Sequence, residues 1–241
     1  MIADERLAAY INSLDTGNTE ILDRIEREAK AAGVPIIRKE MQGFLKLLLA
    51  MKKPERILEV GTAVGFSAVL MAEYTRKSTR IITIENYEKR IPIARENFRR
   101  AGKEDQITLL EGDAAELLPT LEGTFDFIFM DAAKGQYIHF LPEILRLLAP
   151  EGILVSDNVL QDGDILESRF IVTRRNRTIH KRMREYLYVL THHEELTTAV
   201  LPVGDGITVS TRCTKRQETP QTGLGAAAAP LFCDKLLRNG D

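Results

Sequence analysis

The sequence predicts an α/β protein with a doubly wound, mainly parallel sheet, helices ahead of it and an antiparallel hairpin at its C-terminal end. Three observations carry this. Short apolar runs alternate with helical segments from Arg56 to Asn158, the pattern of βαβ units with right-handed crossovers. The first run, 57–60, ends in a glycine-bracketed turn, Gly61-Thr62-Ala63-Val64-Gly65, that leads straight into a helical segment. Two alternating runs, 197–202 and 206–212, joined by Val203-Gly204-Asp205, close the pattern as a hairpin.

In order along the chain, residues 4–14 and 18–32 space their apolar residues as amphipathic helices, the second with Asn18 as N-cap and Gly33 as stop. After Val34-Pro35-Ile36-Ile37, a third helix carries Phe44, Leu45, Leu47, Leu48 and Leu49 towards a core until Pro54 ends it. Strand 56–60 leads through the glycine turn into a helix over 66–76. Strand 80–84 ends at Glu85 and is followed by a helix over 88–101 that stops at Gly102. Strand 106–110 reaches Gly112-Asp113-Ala114, and a short helix runs on to Leu121. Strand 125–130 ends at Asp131, helix 137–148 ends in Pro150-Glu151-Gly152, and strand 153–156 ends at Asp157-Asn158. An irregular segment follows, then a helix over 177–193.

At 241 residues the chain is long enough for one well-buried domain, expected over 1–212, with 213–241 an appended, poorly ordered tail. No apolar run approaches the roughly 18 residues of a membrane span, and the acidic start, MIADERLAAY, lacks the basic region and apolar core of a secretion signal. The expected location is the cytoplasm. Cys213 and Cys233 both lie near the C-terminus, which argues against a disulfide framework or a thiolate metal site. Net charge is −2, an average over an acidic chain with one strongly basic segment near residues 169–184.

Ligands of open α/β sheets bind outside the carboxyl ends of the strands, so the polar residues there carry the function. The glycine turn matches neither the dinucleotide nor the phosphate-loop spacing, but it lets a ligand approach the backbone closely. Glu85 stands where a carboxylate accepts both hydroxyls of a ribose, and Asp113-Ala114 suit an adenine. Each has a plainer reading as a helix cap. Asp131, Asp157 and Asn158 offer hard oxygen donors with no His or Cys beside them, a set for Mg²⁺, Mn²⁺ or Ca²⁺ rather than zinc. Asp157-Asn158 also reads as an Asx turn. Lys134 is close enough to Asp131 to act as a base, or is an exposed lysine at a helix start.

The motifs LEVGTAVGFS, IE at 84–85, GDA at 112–114, FDFIFMDAAK at 125–134 and SDN at 156–158 resemble, in this order, the S-adenosylmethionine-dependent, divalent-metal-dependent O-methyltransferases. That group includes catechol and caffeoyl-CoA methyltransferases. The resemblance covers roughly residues 34–212 and implies a Rossmann-like methyltransferase sheet. It implies that Glu85 binds the ribose, Asp113 and Ala114 the adenine, and Ile37, Gly61 and Ser67 the rest of the cofactor. Glu59 and Asp131 join that cofactor set. Asp131, Asp157 and Asn158 would hold the metal, with Asp131 and Lys134 catalytic. Within the group, DAAKGQY at 131–137 and PVGDGITVS at 202–210 are most similar to bacterial tRNA 5-hydroxyuridine methyltransferases, whereas many small-molecule members carry DADK where this chain has DAAK.

The basic segment supplies a partner. Arg169, Arg174, Arg175, Arg177, Lys181, Arg182 and Arg184 occur without an intervening acid, the footprint expected for a phosphate backbone or, more plainly, a solvated helix face. Tyr186 and Tyr188 offer stacking surfaces, with at least one of them packed. The leading expectation is methylation of the 5-hydroxyl of 5-hydroxyuridine at the wobble position, with the basic segment docking the tRNA anticodon arm. The alternatives are an O-methyltransferase of catechol-like or caffeoyl-CoA-like small molecules, and a non-catalytic RNA-binding module of the same fold. Relatives of this kind are commonly homodimers.

Overall fold

Alternating side chains decide how the strands are covered. In the computed structural model, which describes residues 5–167, 173 and 176–212, five strands run parallel: β1 (Arg56–Val60), β2 (Arg80–Glu85), β3 (Ile107–Glu111), β4 (Phe125–Met130) and β5 (Leu148–Ser156). Two further strands, β6 (Leu196–Leu201) and β7 (Ile207–Arg212), complete a seven-stranded sheet of order β3-β2-β1-β4-β5-β7-β6, in which β7 lies antiparallel to both β5 and β6. Ile57, Phe127, Phe129 and Val155 point to one face, where they meet α2 (Glu20–Ala31), α3 (Lys39–Lys52), α4 (Phe66–Glu73) and α5 (Ile91–Arg100). Leu58, Val60, Ile128, Met130 and Leu154 point to the other, against α6 (Ala114–Leu117), α7 (Tyr137–Leu147) and α8 (Arg177–His192). Every residue of α4 from Phe66 to Ala72 is buried, as expected of a helix apolar all round.

The strand order reverses between β1 and β4, and at such a switch point the connecting loops diverge and leave a crevice. Hydrogen bonds tie the strand ends around it. Asp131 N donates to Val60 O at 2.9 Å, Asp157 N to Met130 O at 2.9 Å, and Gly112 N to Glu85 O at 2.9 Å. Among the described residues no helix is long and apolar enough to cross a membrane. The tail expected over 213–241, Cys213 and Cys233 with it, lies outside the described residues, as do Arg169, Arg174 and Arg175.

Some boundaries differ from the sequence reading for local reasons. Thr19, not Asn18, stands at the N-cap of α2, because the Asn18 amide is drawn away to donate to Gln42 Oε1 at 2.8 Å. Leu47 is 54% exposed and faces away from the core, the outer position in a run of consecutive apolar residues that a helix cannot bury together. Helix α5 begins at Ile91 rather than 88, with a proline in its first turn, where proline's fixed φ favours a start. Strand β5 begins at Leu148, and Pro150-Glu151-Gly152 lies inside it as an irregularity that shifts the register between Phe125 and Phe127. Glu151 takes φ +56 there. The apolar run that reads as the end of a helix thus already pairs with β4. Helix α1 (Glu5–Ser13) exposes Leu7, Tyr10 and Ile11, and Leu14 beyond it is exposed as well.

Gly61 shows how tightly the crevice is built. Its φ is +105, and a Cβ there would run into the Asp131 carbonyl, so glycine is required by the neighbouring loop before any ligand is considered. Gly61→Ala is expected to cost more than about 1 kcal/mol of stability through strain and overlap, seen as a lower urea midpoint. An unchanged midpoint would show that the β1 and β4 loops slide apart freely.

Candidate active site

The crevice opens into a cleft of about 800 Å³ lined by the loops after β1, β2, β3, β4 and β5, by residues 35–38 and by the β6–β7 turn. Of the residues expected in the site, Ile37, Gly61, Glu85, Asp113, Ala114, Asp131, Lys134, Asp157 and Asn158 all line it. They divide into two ends.

At one end, Glu85 is buried and its two oxygens gather backbone donors: Ala63 N at 2.7 Å, Asn86 N at 3.0 Å and Tyr87 N at 2.9 Å. It caps no helix, since α5 begins well beyond it. The carboxylate instead locks the β1 and β2 loops together, and each oxygen keeps acceptor capacity for a ligand hydroxyl. Asp113 is a helix cap as well as a cleft residue: its Oδ1 accepts from Ala115 N at 2.8 Å. That leaves Oδ2 and the Ala114 backbone to a ligand.

At the other end, Asp131, Asp157 and Asn158 meet at the tips of adjacent strands. Asn158 donates its side-chain amide to Asp131 Oδ1 at 3.1 Å, and Asp157 Oδ1 accepts from Asn158 N at 2.7 Å. Asn158 holds φ +61, a left-handed conformation that asparagine tolerates better than most residues. The Asp157 side chain thus bonds the backbone one residue on, not the two of an Asx turn, and with the Asn158 amide it brings the donors together. Burial pushes both carboxyls above their usual range. For Asp157 the charge of Asp131 adds to that effect, while Lys134 opposes it at both. Among the described residues no group of three or more His, Cys, Asp or Glu is arranged to hold a metal ion. Two carboxylates and an amide instead fit a hard dication that keeps open positions for other oxygens. Lys134 sits in a 3-10 turn, Lys134–Gln136, on the cleft wall.

Glu59 and Ser67 are brought together behind the cleft and do not line it. The Glu59 carboxylate is fully buried and accepts from the Ser67 hydroxyl and from Thr83 Oγ1 at 2.5 Å, while Thr83 also meets Thr62 of the glycine loop at 2.5 Å. This network clamps β1, β2, α4 and the loop from beneath. The resemblance places both residues with the cofactor ligands. Their side chains point at each other instead.

Residues that the sequence reading missed include Asn86, Tyr87 and Arg90 beside Glu85, and Arg38 with Asp205, an ion pair in the cleft lining. Asp205 belongs to the PVGDG stretch, read as a turn and as part of a motif of resemblance but not as a site residue. Its carbonyl accepts from Leu160 N at 3.1 Å, while the Gly206 carbonyl accepts from Val159 N at 2.8 Å, so the turn is sewn to the loop that follows Asn158. Of the basic segment, Arg177 opens α8, Lys181 is exposed, and half-buried Arg182 donates to Gly135 O at 3.1 Å, on the turn that carries Lys134. Tyr186 is core, with its hydroxyl 2.6 Å from Ser156 Oγ. Tyr188 is exposed and stacks on His192 at 4.0 Å.

Fold and cleft together define a Rossmann-like protein whose one cleft joins an end built around Glu85 and Asp113 to an end built around Asp131 and Asp157. A family model described as O-methyltransferase matches residues 12–213, and the chain belongs to that family. A catechol O-methyltransferase from Niastella koreensis is 36% identical over 169 residues, 68% of this chain and 76% of that protein. Another, from Mycobacterium tuberculosis, is 34% identical over 161 residues, 66% and 73% of the two chains. The SAH-bound methyltransferase PaMTH1 of Podospora anserina shares the fold at TM-score 0.78 and 29% identity, over 86% of this chain and 94% of that one.

Burial, the largest influence, pushes the Glu59 carboxyl up to about 7, against the hydrogen bonds from Ser67 and Thr83. The folded chain therefore keeps a proton that the unfolded chain loses near 4.5. Between those values stability falls as pH rises, because the native state binds more protons. Glu59→Gln should remove that slope, so that its stability relative to wild type climbs from about pH 5 to about pH 8 by at most roughly 3 kcal/mol. Urea denaturation at both pH values reads it, and a flat difference would contradict the assignment.

Proposed function

We propose that this protein is an S-adenosylmethionine-dependent, divalent-metal-dependent O-methyltransferase whose acceptor is the 5-hydroxyl of 5-hydroxyuridine in the tRNA anticodon arm, yielding 5-methoxyuridine. The observation that carries the tRNA reading is the seating of α8: Arg182 is bonded to the Lys134 turn, and Arg177 and Lys181 lie on the same helix. Basic side chains beside a cleft of this kind are what a phosphate backbone requires. The SAH-bound neighbour supports the cofactor.

In this reading Glu85 accepts the ribose hydroxyls, Asp113 and the Ala114 backbone take the adenine, and Ile37 and Gly61 wall the remainder of the cofactor. Glu59 and Ser67 hold the loop from behind. Asp131, Asp157 and Asn158 hold Mg²⁺, with Mn²⁺ or Ca²⁺ of compatible chemistry. When bound, such a cation neutralises the two carboxylates and acidifies a hydroxyl that chelates it alongside a neighbouring oxygen. 5-Hydroxyuridine offers that pair as its 5-hydroxyl and O4. Beside a dication Lys134 would give up its own proton to solvent more readily, and its neutral Nζ then takes the hydroxyl proton while the cleft aligns the resulting oxygen with the sulfonium methyl. A C–S bond is exchanged for a C–O bond, leaving S-adenosylhomocysteine and a methyl ether.

A second reading, an O-methyltransferase of catechol-like or caffeoyl-CoA-like small molecules, is favoured by the two curated relatives named for catechol. A catechol presents the same pair of adjacent oxygens. Labelled methyl transfer to tRNA lacking the modification, run beside a catechol panel with Mg²⁺ or EDTA, separates the two. Mg²⁺-dependent label in tRNA is expected, and reversing the charges of Arg177, Lys181 and Arg182 should weaken tRNA binding at least tenfold and flatten its salt dependence. Label confined to catechols, or a triple variant with unchanged tRNA affinity, would overturn the tRNA reading.

A further inference from the structure

Tyr137 is the first residue of α7 and the residue that follows the Lys134 turn. It is fully buried. Its hydroxyl donates to two backbone carbonyls at once, Met130 O at 3.1 Å and Asp157 O at 3.0 Å. Met130 immediately precedes Asp131, and the second carbonyl belongs to Asp157 itself. One O–H is thus shared between the tips of β4 and β5 at the positions that carry the two acids. The same contact closes the chain into a loop, from Met130 out through Asp131 and Lys134 and back to Tyr137.

The surroundings of the hydroxyl are built to keep it there. The Tyr137 ring packs edge-on against Tyr186, with centroids 5.4 Å apart, and Tyr186 is anchored by its own hydroxyl to Ser156 Oγ at 2.6 Å. From outside, Arg182 holds the same turn through the Gly135 carbonyl at 3.1 Å. Two adjacent parallel strands fix the spacing of their main chains up to the last bond, Asp157 N to Met130 O at 2.9 Å, and Asn158 ties the two carboxylates together from the cleft side. A donor bridging both carbonyls holds the strand ends from behind.

We propose that Tyr137 is a positioning residue for the reaction: through the carbonyls of Met130 and Asp157 it sets the separation of the Asp131 and Asp157 carboxylates and the placement of the Lys134 turn. It touches no substrate or cofactor. The inference rests on the reading of Asp131, Asp157 and Asn158 as metal holders. Groups that orient metal ligands from behind generally change metal affinity about tenfold to a hundredfold when removed.

The test is Tyr137→Phe, which deletes the hydroxyl and keeps the ring, compared with Tyr186→Phe, which deletes an equally buried hydroxyl that meets only side chains of the same strand ends, Ser156 Oγ and Met130 Sδ, and leaves the two backbone carbonyls bridged. Mn²⁺ affinity of the purified, metal-stripped protein is measured by titration, and amide hydrogen exchange is followed at Asp131 and Asp157. Tyr137→Phe should bind Mn²⁺ about tenfold or more weakly, exchange both amides faster, and keep wild-type affinity for S-adenosylhomocysteine. Tyr186→Phe should keep Mn²⁺ affinity within about twofold, well short of that loss. Unchanged Mn²⁺ affinity and exchange in Tyr137→Phe, or an equal loss in Tyr186→Phe, would overturn the proposal. A wild-type protein that binds no Mn²⁺ while still binding S-adenosylhomocysteine would overturn the metal reading itself, and the inference with it.

Discussion

Two carboxylates stand together at the tips of neighbouring strands, and the rest of this structure is arranged around keeping them there. Asp157 is only 4% exposed, and it feels the charge of Asp131 as well as the loss of water. A fold selected for stability alone has no reason to pair two acids on a cleft wall where both lose much of their water, at a cost of several kcal/mol without a counter-ion. Such pairs cluster at functional sites. Lys134 supplies some positive charge, and in the proposed function a dication supplies the remainder.

The neighbouring parts serve the same constraint. Gly61 has no side chain because the Asp131 carbonyl occupies that space. The β6–β7 turn is stitched to Val159 and Leu160, immediately after Asn158, and Arg38 reaches across from the start of α3 to meet Asp205 of that turn. Glu59 and its hydroxyl partners support the other end of the cleft from below. The cleft is thus held largely by contacts between residues on different strands, helices and loops.

This explains what was legible in the sequence. The parallel strands were visible because the central ones are short apolar runs buried on both faces, and the polar residues of the cleft stood out as a set, since acids recur directly after those runs although each alone has a plainer reading. The irregular start of β5 was not, since Leu148 and Ala149 continue an apolar helix pattern and only their pairing with β4 makes them strand. Glu59 joined the cofactor set through the resemblance, while its hydrogen bond to Thr83 on the neighbouring strand is not revealed by spacing along the chain. Arg38 and Asp205 were missed for the same reason. Asp113 carried both of its weighed readings at once, cap and cleft wall, and no local pattern could have separated them.

The central claim is that the acidic pair is maintained for its ligand at a cost to the empty fold. The direct measurement is the unfolding midpoint of the metal-free Asp157→Asn variant beside metal-free wild type. The account predicts a higher midpoint for the variant at neutral pH, together with loss of methyl transfer, because asparagine relieves the fold of an acid that burial and the Asp131 charge push up to about 8, while disabling the site. A lower midpoint would contradict it, and would mean that Asp157 is held in place by the structure for the structure's own sake.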